Sequence, residues 1–402
     1  MSHSLKAREG VPERSEDTPA TGQKGASGPF NLIHRHKASA DFREKRQKTA
    51  KKEGQGAEKK IRERAEKNPS EEMLGGDPQR GIGALPTRIE RYGKARHGTD
   101  QMATFLAVSG QNDPEPVYTR TGRPFLLSSL AIELDNCSRW LAFRHYPTVD
   151  EVRLVKANFC KRHTLCPVCA IRRGSRTVQK YLPKFQEICR KRPDLKPALL
   201  TLTVVNGDDL SERMDHLMKA VRSFNERGRK ARSGGHRHYS EAGKIAGAFG
   251  SYEVTHKGNG WHPHVHMLVM LTEWIDQKAL SREWLSITGD SIIVDIRRVQ
   301  AARPEKAFAE VCKYALKFSE LSPADNVLAF LSLFAQRLTF SLGVFRGWEP
   351  PEDLLDEPLE NLPYVEYFYR YVRRGGYTLE RVEANNATPS LPKQAASPGR
   401  MS

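Results

Sequence analysis

The stretch WHPHVHMLVML, residues 261–271, sets His262, His264 and His266 at every second position and then turns wholly apolar. Imidazole is a poor filling for a buried strand unless something binds it. On a strand, alternate residues share a face, so His264 and His266 point one way while Val265 and Met267 point the other. The glycines of KGNG (257–260) suit a hairpin turn that folds SYEVTH (251–256) back antiparallel. Glu253 then falls opposite His264, at the ~5 Å Cβ separation of a cross-strand pair. Two imidazoles and a carboxylate with open positions suit Mg²⁺, Mn²⁺ or Zn²⁺ held as a Lewis acid. The competing reading is a surface strand with solvated histidines.

A second group lies in AFAEVCKYALKF (307–318). At helical spacing Glu310, Tyr314 and Lys317 share one face, with Lys313 at its edge. A tyrosine hydroxyl, with its pKa of about 10, is a weak nucleophile until a cation or metal favours its deprotonated form, which Lys313 and Lys317 would assist. An amphipathic helix with a packing tyrosine and solvated charges writes the same pattern.

Four of the six cysteines, Cys137, Cys160, Cys166 and Cys169, fall within 33 residues and end in CPVC, a zinc-knuckle type of turn. In a reducing compartment such a cluster points to structural zinc rather than disulfides. Two alternatives stay open: only Cys166 and Cys169 matter, or His163 replaces Cys137. Cys189 and Cys312 read as ordinary helix residues. The following IRRGSR brings Arg172 and Arg173 to a phosphate-contacting surface, or to a solvated helix face. The segment RGRKARSGGHRHYS (227–240) reads as a mobile, glycine-punctuated loop whose Arg229, Lys230 and Arg232 contact a DNA backbone.

The elements that must position these groups follow from pattern. Alternation marks strands over 197–205, 244–256, 262–271 and 291–299, and helical periodicity covers 208–230, 276–287 and 304–320. The order is β-α-β-β-α-β and then a helix, which predicts an α+β fold: a ferredoxin-like antiparallel sheet with helices on one face. The expected domains are a basic disordered N-terminal arm (1–118), a cysteine-rich zinc-knuckle-like region with its helix (119–195), the catalytic core (196–350), a C-terminal extension (351–384) and a disordered tail (385–402). The arm is assigned because the first hundred residues hold only three aromatics, Phe30, Phe42 and Tyr92, too few to organise a core. Tyr252 and Trp261 stand near the histidines as stacking candidates that could equally be core.

Lys and Arg exceed Asp and Glu by 17, with charged residues at 28% of the 402. That balance favours a phosphate-backbone partner. No run approaches the ~18 apolar residues of a membrane span, and the polar N-terminus lacks a signal-peptide apolar region, so a cytoplasmic location is expected.

HPHVHMLV, followed some forty residues later by EVCKYALK, closely resembles the rolling-circle replication initiator (Rep) proteins of bacterial plasmids, within the HUH endonuclease superfamily. LLTLTVVN (199–206) resembles their first motif, and NFCKRHTLCPVCAIRRGSR (158–176) also resembles this family. The resemblance covers roughly residues 120–350. It implies an HUH core in which His264 and His266 bind the metal with Glu253 as third ligand, and the ion is Mg or Mn. Tyr314 is implied as the nucleophile that forms a 5′-phosphotyrosyl link and frees a priming 3′-hydroxyl. Glu310 is implied as the acid that activates water for the closing cleavage. The implied partners are double-stranded plasmid origin DNA, single-stranded DNA, and a host helicase, single-strand-binding protein and DNA polymerase; a homodimer stays open. HPHVHML is also similar to the histidine-triad nucleotide hydrolases, which account for neither Tyr314 nor the cysteines. A non-catalytic zinc-knuckle DNA-binding protein and an HUH-superfamily transposase remain as rival functions.

Overall fold

The computed structural model describes residues 81–234, 239–256, 258–299, 307, 308, 311 and 321–385. Two main sheets, of five and four strands, and a two-stranded ribbon organise them, with every strand pair antiparallel. After helix α1 (Leu85–Asn112) come the short strands β1 (Val117–Tyr118) and β2 (Pro124–Phe125), helix α2 (Leu127–Asn136), strands β3 (Trp140–Tyr146) and β4 (Glu151–Ala157), and helix α3 (Pro167–Lys191). There follow β5 (Lys196–Thr203), α4 (Leu210–Ser233), β6 (Ile245–His256), β7 (Trp261–Leu271), α5 (Gln277–Thr288) and β8 (Val294–Arg298). Helix α6 (Pro323–Ser332) and strands β9 (Thr339–Gly343), β10 (Tyr364–Val372) and β11 (Gly376–Asn385) complete the described chain. The larger sheet runs β8-β5-β7-β6-β9 and the smaller β11-β10-β3-β4.

Local chemistry accounts for the elements around the larger sheet. The Asp209 side chain caps α4 by accepting from the Glu212 amide, and Asp276 caps α5 by accepting from the amides of Lys278 and Ala279. Gly289, at φ 77°, ends α5 in the left-handed conformation that favours glycine. In the β6–β7 turn Gly260 sits at φ 89°, and a Cβ there would lie 2.6 Å from the Gly207 carbonyl oxygen. Glycine is therefore required where β7 starts beside the end of β5.

Strand β7 changes character along its length because its surroundings change. From Met267 to Leu271 every residue is fully buried, since both faces of the sheet are covered there. On one face Leu200, Leu202, Val265, Met267 and Val269 pack with Met214, Leu217 and Phe224 of α4 and with Leu280 and Trp284 of α5. On the other, Phe249, Leu268 and Met270 pack with Tyr181 and Phe185 of α3 and with Phe308, Phe345 and Trp348. The two helices threaded between the strands of this sheet, α4 and α5, share one face, while α3, from the preceding region, covers the other. Alternation of histidine with apolar residues survives only from 262 to 266. Tyr252 and Trp261 are buried in the first of these cores, so the stacking role does not hold for either.

The expectation that the N-terminal arm is disordered through residue 118 is corrected as well. Helix α1 occupies 28 of its residues, with Leu85, Tyr92, Met102 and Leu106 buried. Residues 1–80 and 386–402, which hold most of the arm and the tail, lie outside the described residues. The segment set apart as a C-terminal extension supplies β10, which pairs along β3 from Val365–His145 to Arg370–Trp140.

Arg172, expected to contact phosphate, is instead 1% exposed. Its guanidinium donates to the Leu354 carbonyl, to the Tyr92 hydroxyl at 3.4 Å and to Asp356 at 2.5 Å. Asp356 also accepts from the Leu154 amide at 2.8 Å and lies within 3.7 Å of Arg88. The pair therefore ties α1, α3, β4 and the C-terminal segment together. Burial opposes charge on Asp356, but Arg172 and Arg88 outweigh it and hold the carboxyl below the usual carboxylate range. Arg172→Ala, by leaving the buried carboxylate to Arg88 and Arg176 alone, should destabilise the fold by about 1.5–3 kcal/mol in urea unfolding. Because the folded-state pKa is depressed, the Asp356 contribution is complete above the unfolded carboxyl pKa and is lost as pH falls through the folded value. Arg172→Ala should accordingly flatten the acid limb of the stability curve.

Candidate functional site

The β6–β7 register places Glu253 opposite His264 and Ser251 opposite His266. One ligand atom from each of Glu253, His264 and His266 lies within 4.8 Å of the other two. The Glu253 carboxylate, 2% exposed, is 3.2 Å from His266 Nε2 and 3.6 Å from His264 Nε2. Burial would push its pKa up, but the charge of His264 and hydrogen bonds from both imidazoles hold it well below the ordinary carboxylate range. An ionised oxygen and two Nε2 atoms converging on one point form a donor set that fits a divalent cation. The expected trio is brought together.

The other ring nitrogens are engaged as well. His266 Nδ1 lies 2.9 Å from Thr201 Oγ1, His264 Nδ1 3.4 Å from the His262 carbonyl, and His262 Nδ1 2.6 Å from Asn206 Oδ1. Contacts at Nδ1 orient a ring so that Nε2 faces the metal position. Thr201 and Asn206 were not assigned roles from sequence. The alternation of LLTLTVV puts Thr201 and Thr203 on one face of β5, which is a usable signal only once β5 is known to adjoin β7. Ser251 donates to the Val311 carbonyl at 2.5 Å, which anchors a described residue of the EVCKYALK segment beside the strand position facing His266. Tyr314, Glu310, Lys313 and Lys317 lie outside the described residues, as does Cys312.

The four cysteines also converge. The sulfurs of Cys137, Cys160, Cys166 and Cys169 all lie within 4.8 Å of one another. Cys137 is 3.6 Å from both Cys166 and Cys169, and Cys160 is 3.6 Å from Cys169. A disulfide requires about 2.05 Å, whereas sulfurs bound tetrahedrally at about 2.3 Å stand about 3.8 Å apart. The donor set therefore fits one tetrahedral metal ion. Hydrogen bonding to Cys137 pushes the Cys160 and Cys169 thiols up. Burial opposes charge on Cys166, but its three sulfur neighbours hold that thiol well below its ordinary value. His163 stands apart from the cluster, with Nδ1 3.2 Å from Arg173. Burial and the Arg173 charge lower its pKa to about 4, leaving it neutral at pH 7.

The remaining basic residues divide. Arg173 is half-buried against His163. Arg229, Lys230 and Arg232 belong to the last turns of α4 rather than to a mobile loop, because Arg, Lys and Ala carry the helix to Ser233 before Gly234 ends it. Arg232 donates to the carbonyls of Ala242 and Ile245, so its guanidinium fastens the start of β6. Lys230 pairs with Glu226 at 3.0 Å, and Arg229 is exposed. Among the described residues no helix is long and apolar enough to cross a membrane.

Comparison with known proteins matches residues 151–349 to a family described as replication protein. That span holds all five strands of the larger sheet, three of the four clustered cysteines and Tyr314. A curated relative named Protein rep, from a Bacillus species, is 26% identical over 241 residues, covering 53% of this chain and 74% of that protein. A Protein rep from Streptococcus pneumoniae serotype 2 is 30% identical over 183 residues, covering 41% of this chain and 53% of that protein. Another, from Staphylococcus aureus, is 26% identical over 200 residues and is covered for 82% of its length. No solved structure matches the chain.

Proposed function

The chain belongs to the Rep family of replication proteins, and from that premise we propose that it initiates rolling-circle replication of a plasmid by nicking one strand of the origin and keeping hold of the 5′ end. The observation that carries the reading is the convergence of Glu253, His264 and His266, all largely buried, on one point of the larger sheet. The strand order β8-β5-β7-β6, threaded β-α-β-β-α-β, supports a ferredoxin-like HUH core.

A divalent ion bound there, Mg²⁺ or Mn²⁺, would supply Lewis acidity to the scissile phosphate. The chain supplies the rest. Glu253 stays ionised in its buried position, and the contacts of Thr201 and the His262 carbonyl keep both Nε2 atoms turned inward. Tyr314 follows Val311 by three positions in the sequence, and Val311 is held by Ser251 beside His266. In the proposed step the Tyr314 oxygen bonds to phosphorus and the bond to the 3′ oxygen breaks. The phenolic proton is lost to solvent, the leaving oxygen takes one up, and Lys313 and Lys317 favour the phenolate. The ester retains the energy of the broken bond, and the free 3′-hydroxyl primes a host polymerase while a helicase and single-strand-binding protein manage the displaced strand. Glu310 is assigned the closing cleavage, as the base that activates water. Glu310→Ala should nick at a near-normal rate and give plasmid products longer than one unit.

The cysteine cluster is assigned structural zinc on its four thiols and their spacing. Arg173 and Arg229 are kept as backbone contacts to DNA, which would weaken binding about equally on any sequence when neutralised.

Supercoiled plasmid carrying its own origin tests the function. With the full chain and Mn²⁺ it should relax to a nicked circle cut at one position in one strand. Uncut plasmid, or cuts scattered over both strands, would contradict the proposal.

A further inference from the structure

We propose that Thr201 is a positioning residue for His266, setting which ring nitrogen is offered to a metal ion; the proposal rests on the metal reading above. Strand β5 lies between β8 and β7, and the register pairs Thr201 directly with His266. The imidazole is held at both nitrogens, with Thr201 Oγ1 2.9 Å from Nδ1 and Glu253 Oε2 3.2 Å from Nε2. A neutral imidazole carries one proton and one lone pair. To present the Nε2 lone pair it must carry its proton on Nδ1, and that proton needs an acceptor in a site of which 12% of the His266 side chain is exposed. The Thr201 hydroxyl, which can donate or accept, becomes that acceptor when Nε2 takes an ion. The matching contact of His264 goes to a backbone carbonyl, at 3.4 Å, and is independent of any side chain.

Removing the hydroxyl has a directional consequence. In the metal-free site Nε2 donates to Glu253 Oε2; binding an ion requires that proton to pass to Nδ1, and without an acceptor there the imidazole stays in the Nε2–H form. That tautomer closes the ligand position against a metal. Thr201→Val tests this with little change in shape or strand preference, because valine keeps the branched side chain. Thr201→Ser restores the hydroxyl without the methyl group.

The experiment is Mn²⁺ titration of the full chain by calorimetry, for the parent, Thr201→Val, Thr201→Ser and His266→Ala. Thr201→Val should bind Mn²⁺ roughly 10–100-fold more weakly, the range seen when the hydrogen-bond partner of a metal-bound histidine is lost, and Thr201→Ser should recover most of that loss. Nicking by Thr201→Val should need correspondingly more Mn²⁺ yet reach the parental rate at saturation, a shift that general damage to the strand would not produce. Parental affinity in Thr201→Val, with affinity lost in His266→Ala, would overturn the positioning role alone. Equal weakening in the valine and serine variants would also overturn it, since the hydroxyl would not be the cause. Undiminished affinity in His266→Ala would overturn the metal reading itself.

Discussion

Serine in place of Cys166 or Cys169 should yield protein that fails to fold, with its zinc content falling from one equivalent to none. The cluster joins three places: Cys137 just after α2, Cys160 just after β4, and Cys166 and Cys169 at the start of α3. Helix α3 then continues to Tyr181 and Phe185, which pack on Phe249 and Phe308 at the face of the larger sheet that carries the histidines. Loosening the start of α3 therefore reaches the site through packing. Zinc bound by four thiolates contributes roughly 10–16 kcal/mol of folding free energy, comparable to the whole stability of a domain at about 5–15 kcal/mol. A single serine should remove most of it. Elemental analysis of purified protein, with circular dichroism of the variants, checks the expectation. Folded parental protein without zinc and with four freely titrating thiols would refute it.

Alanine at His264 or His266 should lower origin nicking by about a thousandfold or more, several kcal/mol of lost charge stabilisation at the scissile phosphate. Duplex affinity should stay near the parental value, because the positive surface supplies it. Glu253→Ala should be milder, since two Nε2 donors remain. The pairing of effects matters more than either alone: loss of cleavage with loss of binding would indicate a damaged fold. A His264/His266 double alanine variant that still nicked in chelator would remove the site from the chemistry altogether.

How much of this was legible beforehand differs from element to element. The Glu253–His264 pairing was, because a short glycine turn fixes the register of the strands it joins and leaves one alignment of acid and imidazole. Strands β5, β6, β7 and β8 were legible from alternation, whereas β9, at the sheet edge, was not. Helix α1 was not: its buried face is made partly of Ala95, Arg96, Thr99 and Ala103, and Arg96 is fully buried, donating to the Leu134 and Asp135 carbonyls beneath the Tyr371 ring. No hydropathy pattern announces such a face. The pairing of β10 with β3 joins residues more than two hundred positions apart, as in the Arg144–Glu366 ion pair at 2.9 Å. Nothing local encodes that partner. Arg172 misled for a related reason, since an arginine beside others reads as surface until Asp356, 184 residues later, is seen to meet it.

Tyr314 is the proposed nucleophile, served by the Glu253–His264–His266 site. The most direct measurement incubates the full chain with single-stranded origin DNA and Mn²⁺, digests the product with trypsin and maps the DNA-bearing peptide by mass spectrometry. The 5′ phosphate of the cleaved strand should be found on Tyr314, with no adduct in Tyr314→Phe and none in chelator. DNA attached to another residue, or cleavage that leaves only free 5′ ends with no adduct, would contradict it.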